Sequence, residues 1–88
     1  MKGKYVILEM EKFGETPFAF PNYIGHDEFV KQMKLKRKDV VSAGFFTTTK
    51  DGLLKAYGES VSLNVKSRSI DSFTLTKDLL DTVDVNLI

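Results

Sequence analysis

Apolar residues along this chain come in short runs bounded by turn residues, and the runs differ in period. The first, Tyr5-Val6-Ile7-Leu8, is apolar at every position before alternation begins at Glu9, which predicts a strand over 4–11 with both faces apolar. Gly14-Glu15 offers a turn. Pro17-Phe18-Ala19-Phe20-Pro21 then reads as a short extended piece whose two phenylalanines share a side. Its prolines cannot donate to a ladder, so it belongs at a sheet edge or in an ordered loop. After a break at 22–25, Phe29, Val30 and Met33 fall at i, i+1 and i+4, a narrow helical stripe. Asp27 and Glu28 suit the positive end of such a helix and the following lysines its negative end. The helix should start at His26 or Asp27 and end by Leu35.

The next signal is turn chemistry. Thr47-Thr48-Thr49-Lys50-Asp51-Gly52-Leu53-Leu54 reads as a β-hairpin, because Asp-Gly tolerates the positive φ that a two-residue type I′ turn needs. That turn sets Lys50 opposite Leu53, Thr49 opposite Leu54, Phe46 opposite Tyr57 and Phe45 opposite Gly58. Since side chains alternate along strands, one face then carries Ala43, Phe45, Leu54 and Ala56. The other carries Phe46, Leu53 and Tyr57 beside Lys50 and Lys55. Gly58 leaves room for the Phe45 ring to lie over bare backbone.

Beyond Tyr57-Gly58 the alternation Val61, Leu63, Val65 continues an extended path. Ser67 or Ser69 suits the N-cap of a second helix with Asp71 in its first turn. Ile70, Phe73 and Leu80, with Leu75, Leu79 and Val83, would form its buried side, although Thr74 and Thr76 are poor helix formers. Residues 83–88 alternate and would form a last strand or fray. The order ββαββα predicts a single α+β domain over residues 1–88, a mostly antiparallel sheet with two short helices packed on it.

Composition narrows the function classes. Eighty-eight residues with 42% hydrophobic content and a net charge of +1 describe a small globular domain rather than a disordered chain. There is no cysteine, hence neither a disulfide framework nor thiolate chemistry. The N-terminus lacks a signal-peptide layout and no run reaches membrane-span length, so the cytoplasm is the expected compartment. Residues 1–50 hold nine Lys/Arg against six Asp/Glu, whereas 51–88 hold four against six. This polarity suits either pairing within the chain or head-to-tail contact between copies.

Candidate chemistry is sparse. His26-Asp27-Glu28 combines ligand types, but neighbours at i+1 and i+2 do not face one another on a helix, and no second His or Cys completes a metal set. Ser42, Ser60 and Ser62 lack a nucleophile-elbow context, and the glycines follow no phosphate-binding spacing. These readings favour a non-enzymatic protein without a cofactor. Two binding surfaces remain. Lys34, Lys36, Arg37 and Lys38, within the basic stretch 31–38, could neutralise phosphates, although a dedicated nucleic-acid binder is usually more basic overall. Phe46, Leu53 and Tyr57, placed on one sheet face by the predicted register, would form a protein-binding patch if the helices cover the opposite face. A second copy is the simplest cover for such a face, which makes a dimer the expected assembly.

Val41-Ser42-Ala43-Gly44-Phe45-Phe46, then Tyr57-Gly58-Glu59-Ser60-Val61-Ser62-Leu63 and Ser67-Arg68, resembles a group of small uncharacterised proteins encoded by phages and prophages. Lys4-Tyr5-Val6-Ile7 and Phe20-Pro21 are similar in placement. The chain departs from that pattern at Ser69-Ile70-Asp71, where the relatives often carry Pro-Glu-Asp. The resemblance implies a mobile-element origin and carries no activity; small phage proteins often act by binding a host or viral protein. The expected function is therefore a protein-interaction module binding itself or a host or viral protein, with a nucleic-acid accessory role for 31–38 as the alternative.

Overall fold

Tyr5 to Leu8 can be apolar on both faces because their strand lies inside the sheet. In the computed structural model, which describes residues 2–80, β1 (Lys2–Met10) is flanked by β2 (Gly14–Phe20) and β3 (Val40–Thr48). With β4 (Leu54–Tyr57) outside β3, the sheet runs β2-β1-β3-β4, every pairing antiparallel. Proline-bearing β2 is thus an edge strand, as its composition requires. Val6 and Leu8 point to one face and join Phe20, Ala43 and Leu63 beneath Val30 of α1 (His26–Gln32). Tyr5 and Ile7 point to the other and join Phe46 and Leu54 beneath Leu75 of α2 (Asp71–Leu75). The expected α+β class and its two short helices are observed. Residues 83–88, including Val83 and the expected terminal strand, lie outside the described residues.

The apolar cluster on each face is therefore covered by one of the chain's own helices. The two-sided apolar run at Tyr5–Leu8 needs no second copy to bury it, since each short helix covers a different side.

The hairpin register is corrected by one residue. Thr49 N–H donates to Leu53 O at 2.8 Å and Gly52 N–H to Thr49 O at 3.0 Å, enclosing three loop residues rather than two. Asp51 does not take a positive φ; Gly52 alone does, at 81°. This is the three-residue hairpin in which a type I turn precedes a left-handed glycine. The Leu53 amide also donates to Thr49 Oγ1 at 3.1 Å, a local bond that favours this loop. Consequently Phe45 lies opposite Tyr57, Phe46 opposite Ala56 and Thr48 opposite Leu54. The Phe45 ring nevertheless packs against Gly58, where an added Cβ would come within 3.0 Å of it.

Gly58, at φ 76°, also turns the chain out of β4. The expected extended path through Val61 and Val65 instead folds into a small ribbon, β5 (Glu59–Ser60) against β6 (Val65–Lys66). Asn64 takes the left-handed conformation at φ 56°, which its short amide side chain tolerates. Ser60 Oγ accepts the Leu63 amide at 3.2 Å, and Leu63 is driven into the core.

The second helix begins at Asp71, and its buried side is rotated from the expected one. Leu75 is sealed, with Leu79 and Leu80 of the following π-helical turn (Thr76–Leu80) packed against the same cluster. Ile70 and Phe73, expected inside, are exposed. The rotation has a cause at the sheet edge. Ser72 Oγ accepts the Ala56 amide at 2.8 Å; Thr76 Oγ1 accepts the Leu54 amide at 3.0 Å and donates to Leu54 O at 3.1 Å. Hydroxyls one helical turn apart thus satisfy the outer edge of β4, and the helix must present them inward to do so.

Two outcomes follow. Ser72→Ala and Thr76→Val should each cost about 1–3 kcal/mol by leaving an edge amide unpaired, and should speed exchange at Ala56 and Leu54 respectively. Denaturant titration with amide exchange reads both; unchanged exchange at these amides would refute the edge role. Gly52→Val, forcing a β-branched residue to φ 81°, should cost about 2 kcal/mol or more in the same titration.

Candidate functional site

The densest group of titratable side chains joins Tyr5, Arg68, Asp71 and Glu15. Tyr5 OH donates to Asp71 Oδ2 at 2.6 Å, Arg68 N–H donates to the same oxygen at 2.9 Å, and Arg68 Nε donates to Oδ1 at 3.0 Å. The remaining guanidinium nitrogens hold Glu15 through a two-pronged pair at 3.2 and 2.7 Å. Burial first, then the bond to Asp71, raises the Tyr5 pKa above its ordinary value. Bonding to Arg68 lowers that of Glu15, and bonding to Glu15 raises that of Arg68. Shifted groups of this kind often mark chemistry. Here Tyr5 and Asp71 are wholly enclosed, so no substrate reaches either, and the set acts as structure.

His26 is also structural. It is 4% exposed, with Nε2 at 2.9 Å from Gly44 O, which requires the proton on Nε2 so that the ring donates. Its edges meet Phe20 and Phe45 at centroid distances of 5.5 and 5.7 Å. Burial lowers its pKa, partly offset by the Gly44 bond. Glu28 reaches back to the Gly25 amide at 3.3 Å rather than toward His26. Among the described residues, no group of three or more His, Asp or Glu is placed to hold a metal. No helix among them is long and apolar enough to cross a membrane.

The residues expected to form one protein-binding patch are separated. Phe46 is 4% exposed and belongs to the core under α2, a correction that follows directly from the shifted register. Tyr57 lies opposite Phe45 on the other face, 44% exposed, with the two rings stacked at 5.8 Å. Leu53 stands at the loop end of β4, 49% exposed. In the basic stretch, Arg37 donates to Leu63 O and so ties the 3₁₀ turn Arg37–Asp39 to the β5–β6 connection. Lys34, Lys36 and Lys38 are exposed. Lys34 takes φ 57° just beyond α1.

One surface was not anticipated. Leu53, Leu54 and Phe73, with Lys55 and the hydroxyl residues Thr49, Ser72 and Thr76, line a groove of about 410 Å³ between β4 and α2. Phe73, at 59% exposure, forms one wall and Leu53 the other, while Leu54 is its buried floor. The groove exists because Ser72 and Thr76 turn inward, which leaves Phe73 beside the hairpin instead of beneath it. No signal within 71–80 marks it, because the partners of Ser72 and Thr76 lie on β4.

No family model, curated protein or solved structure matches the chain. The surfaces must therefore be read from their own chemistry.

The lowered His26 pKa sets a pH dependence. Between the folded value and the ordinary value of about 6.5, the unfolded chain binds more protons, so stability rises with pH there. The contribution is fully present above about 6.5 and is lost as pH falls through the folded value. His26→Gln, which keeps a donor for Gly44 O, should be less stable yet lack this dependence in denaturant titrations from pH 7.5 to about 5. Parallel curves for the two proteins would refute it.

Proposed function

We propose that this chain is a non-enzymatic binding protein that receives an apolar side chain of a partner protein in the groove between β4 and α2. One observation carries the reading. The core clusters on both sheet faces are already covered by the chain's own helices, yet Leu53 and Phe73 stay exposed around the Leu54 floor. Large apolar side chains grouped around a concavity that the core does not need are characteristic of a contact surface. Thr49, Ser72 and Thr76 give the groove a polar margin, as interfaces usually have. Because Ser72 and Thr76 occupy the β4 edge, a partner would engage side chains rather than add a strand. The similarity to small phage and prophage proteins supports a binding role in a host cytoplasm by analogy.

Selection of random peptides on the immobilised protein tests the groove. Recovered sequences should share an aromatic or aliphatic anchor and shift the amide resonances of 53–55 and 72–76. The double variant Leu53→Ser/Phe73→Ser should keep the wild-type circular dichroism and lose the peptides. Anchor-free peptides, or binding that survives the double variant, would overturn the reading.

A further inference from the structure

The sheet face opposite α2 carries a second surface where α1 ends its cover. The observed register sets Lys2, Thr47 and Lys55 side by side on three strands, and next to them Lys4, Phe45 and Tyr57. Directly paired residues share a face, so these six side chains form one patch. Lys2, Lys55 and Tyr57 are exposed; Lys4, Thr47 and Phe45 are half-buried. Phe45 and Tyr57 stack with planes 26° apart, leaving the outer ring of Tyr57 open to a further planar group. Lys4 Nζ donates to Ile24 O at 3.0 Å, which holds the ammonium 5.9 Å from the Phe45 centroid. Neither row contains a carboxylate. Lys2 and Lys55 stand two strand spacings apart, about 10 Å.

Beside the patch lies a cleft of about 540 Å³, entered between Phe45 and Gly58 and lined by Lys4, His26, Asp27 and Glu59. Its two carboxylates disfavour phosphate there. A polyanion would follow Lys2 and Lys55 instead, and the cleft suits an uncharged planar group lying against Phe45.

We propose that this face binds a single-stranded nucleic acid, with phosphates along Lys2 and Lys55 and a base stacked on Tyr57. An aromatic stack among cations, without carboxylates, complements a strand whose bases are unpaired. A duplex buries its base faces and offers nothing to Tyr57. The surface is separate from the 31–38 stretch, where Arg37 is bound to Leu63 O, and lies across β4 from the Leu54 floor of the groove, with Lys55 common to both margins. It stands or falls independently of the groove reading.

Fluorescence anisotropy at low salt tests it with a labelled single-stranded oligonucleotide, the matching duplex and polyglutamate. The single strand should bind and the other two should be much weaker. Log affinity against log salt should have a slope of about −1.4, since each of two neutralised phosphates contributes about −0.7. Tyr57→Ala should weaken binding by about 5- to 150-fold, and Tyr57→Phe should retain it. Lys2→Gln/Lys55→Gln should flatten the salt dependence to nearly zero. Glutamine at Lys34, Lys36 and Lys38, or the double groove variant, should change nothing. All variants alter half-exposed or exposed side chains, and circular dichroism checks their folding. No binding at low salt, equal affinity for duplex or polyglutamate, or a silent Tyr57→Ala would each overturn the proposal.

Discussion

Asp71 is a fully enclosed carboxylate, and much of the fold is arranged around keeping it hydrogen-bonded. An unpaired buried charge costs several kcal/mol or more, so its partners are obligatory once the position is sealed. They come from two places. Tyr5 reaches it from the middle of β1, 66 residues earlier in sequence, while the Arg68 amide and guanidinium reach it from the preceding loop. Arg68 is itself held by Glu15 near the start of β2. One carboxylate therefore fixes where α2 begins relative to both β1 and the β2 edge. Such a set does not stabilise by its charges alone; well-packed apolar replacements of buried ion pairs are often as stable. What it supplies is position.

Position then propagates along one helical turn. With Asp71 anchored, Ser72 falls on the Ala56 amide, Leu75 on the Tyr5–Ile7 face and Thr76 on Leu54. Residues 71, 72, 75, 76 and 79 form the inward stripe, so Ile70 and Phe73 must point outward. The groove beside Leu53 is thus a by-product of an electrostatic anchor and an edge-capping requirement acting together. Neither involves Phe73 itself.

This explains which features were legible in the sequence. The two-sided apolar run at Tyr5–Leu8 marked an interior strand, the prolines around Phe18 marked an edge, and Asp27-Glu28 marked the start of α1. Each is a local signal whose physics acts within a few residues. The hairpin register was harder, because Asp51-Gly52 serves a two-residue and a three-residue loop alike. The choice rests on the Thr49–Leu53 bonds. A shift of one residue exchanges faces, so it parted Tyr57 from Phe46 and brought it onto Phe45, while α2 sealed Phe46 in the core. The buried side of α2 was set by partners on β1 and β4, and no periodicity within the helix encodes them. The groove and the Lys2–Tyr57 patch were hidden for the same reason: both join residues that only the register and the helix rotation bring together.

The sheet's two edges constrain what any partner can do. On one side β2 carries Pro17, which offers no amide, and on the other the amides of Leu54 and Ala56 are taken by α2. Strand addition, the simplest way for a small sheet to bind itself or another chain, is disfavoured at both. Contacts must then be made by side chains on faces and grooves. The two surfaces that remain differ in chemistry: one is apolar and concave, the other aromatic and cationic. They also lie on different sides of β4, because alternation sends Leu54 and Ala56 toward α2 and Lys55 and Tyr57 away from it. A partner protein and a polyanion would accordingly meet opposite sides of the same four-residue strand. Its neighbours β3 and α2 hold that strand in place, so occupation of one side need not obstruct the other.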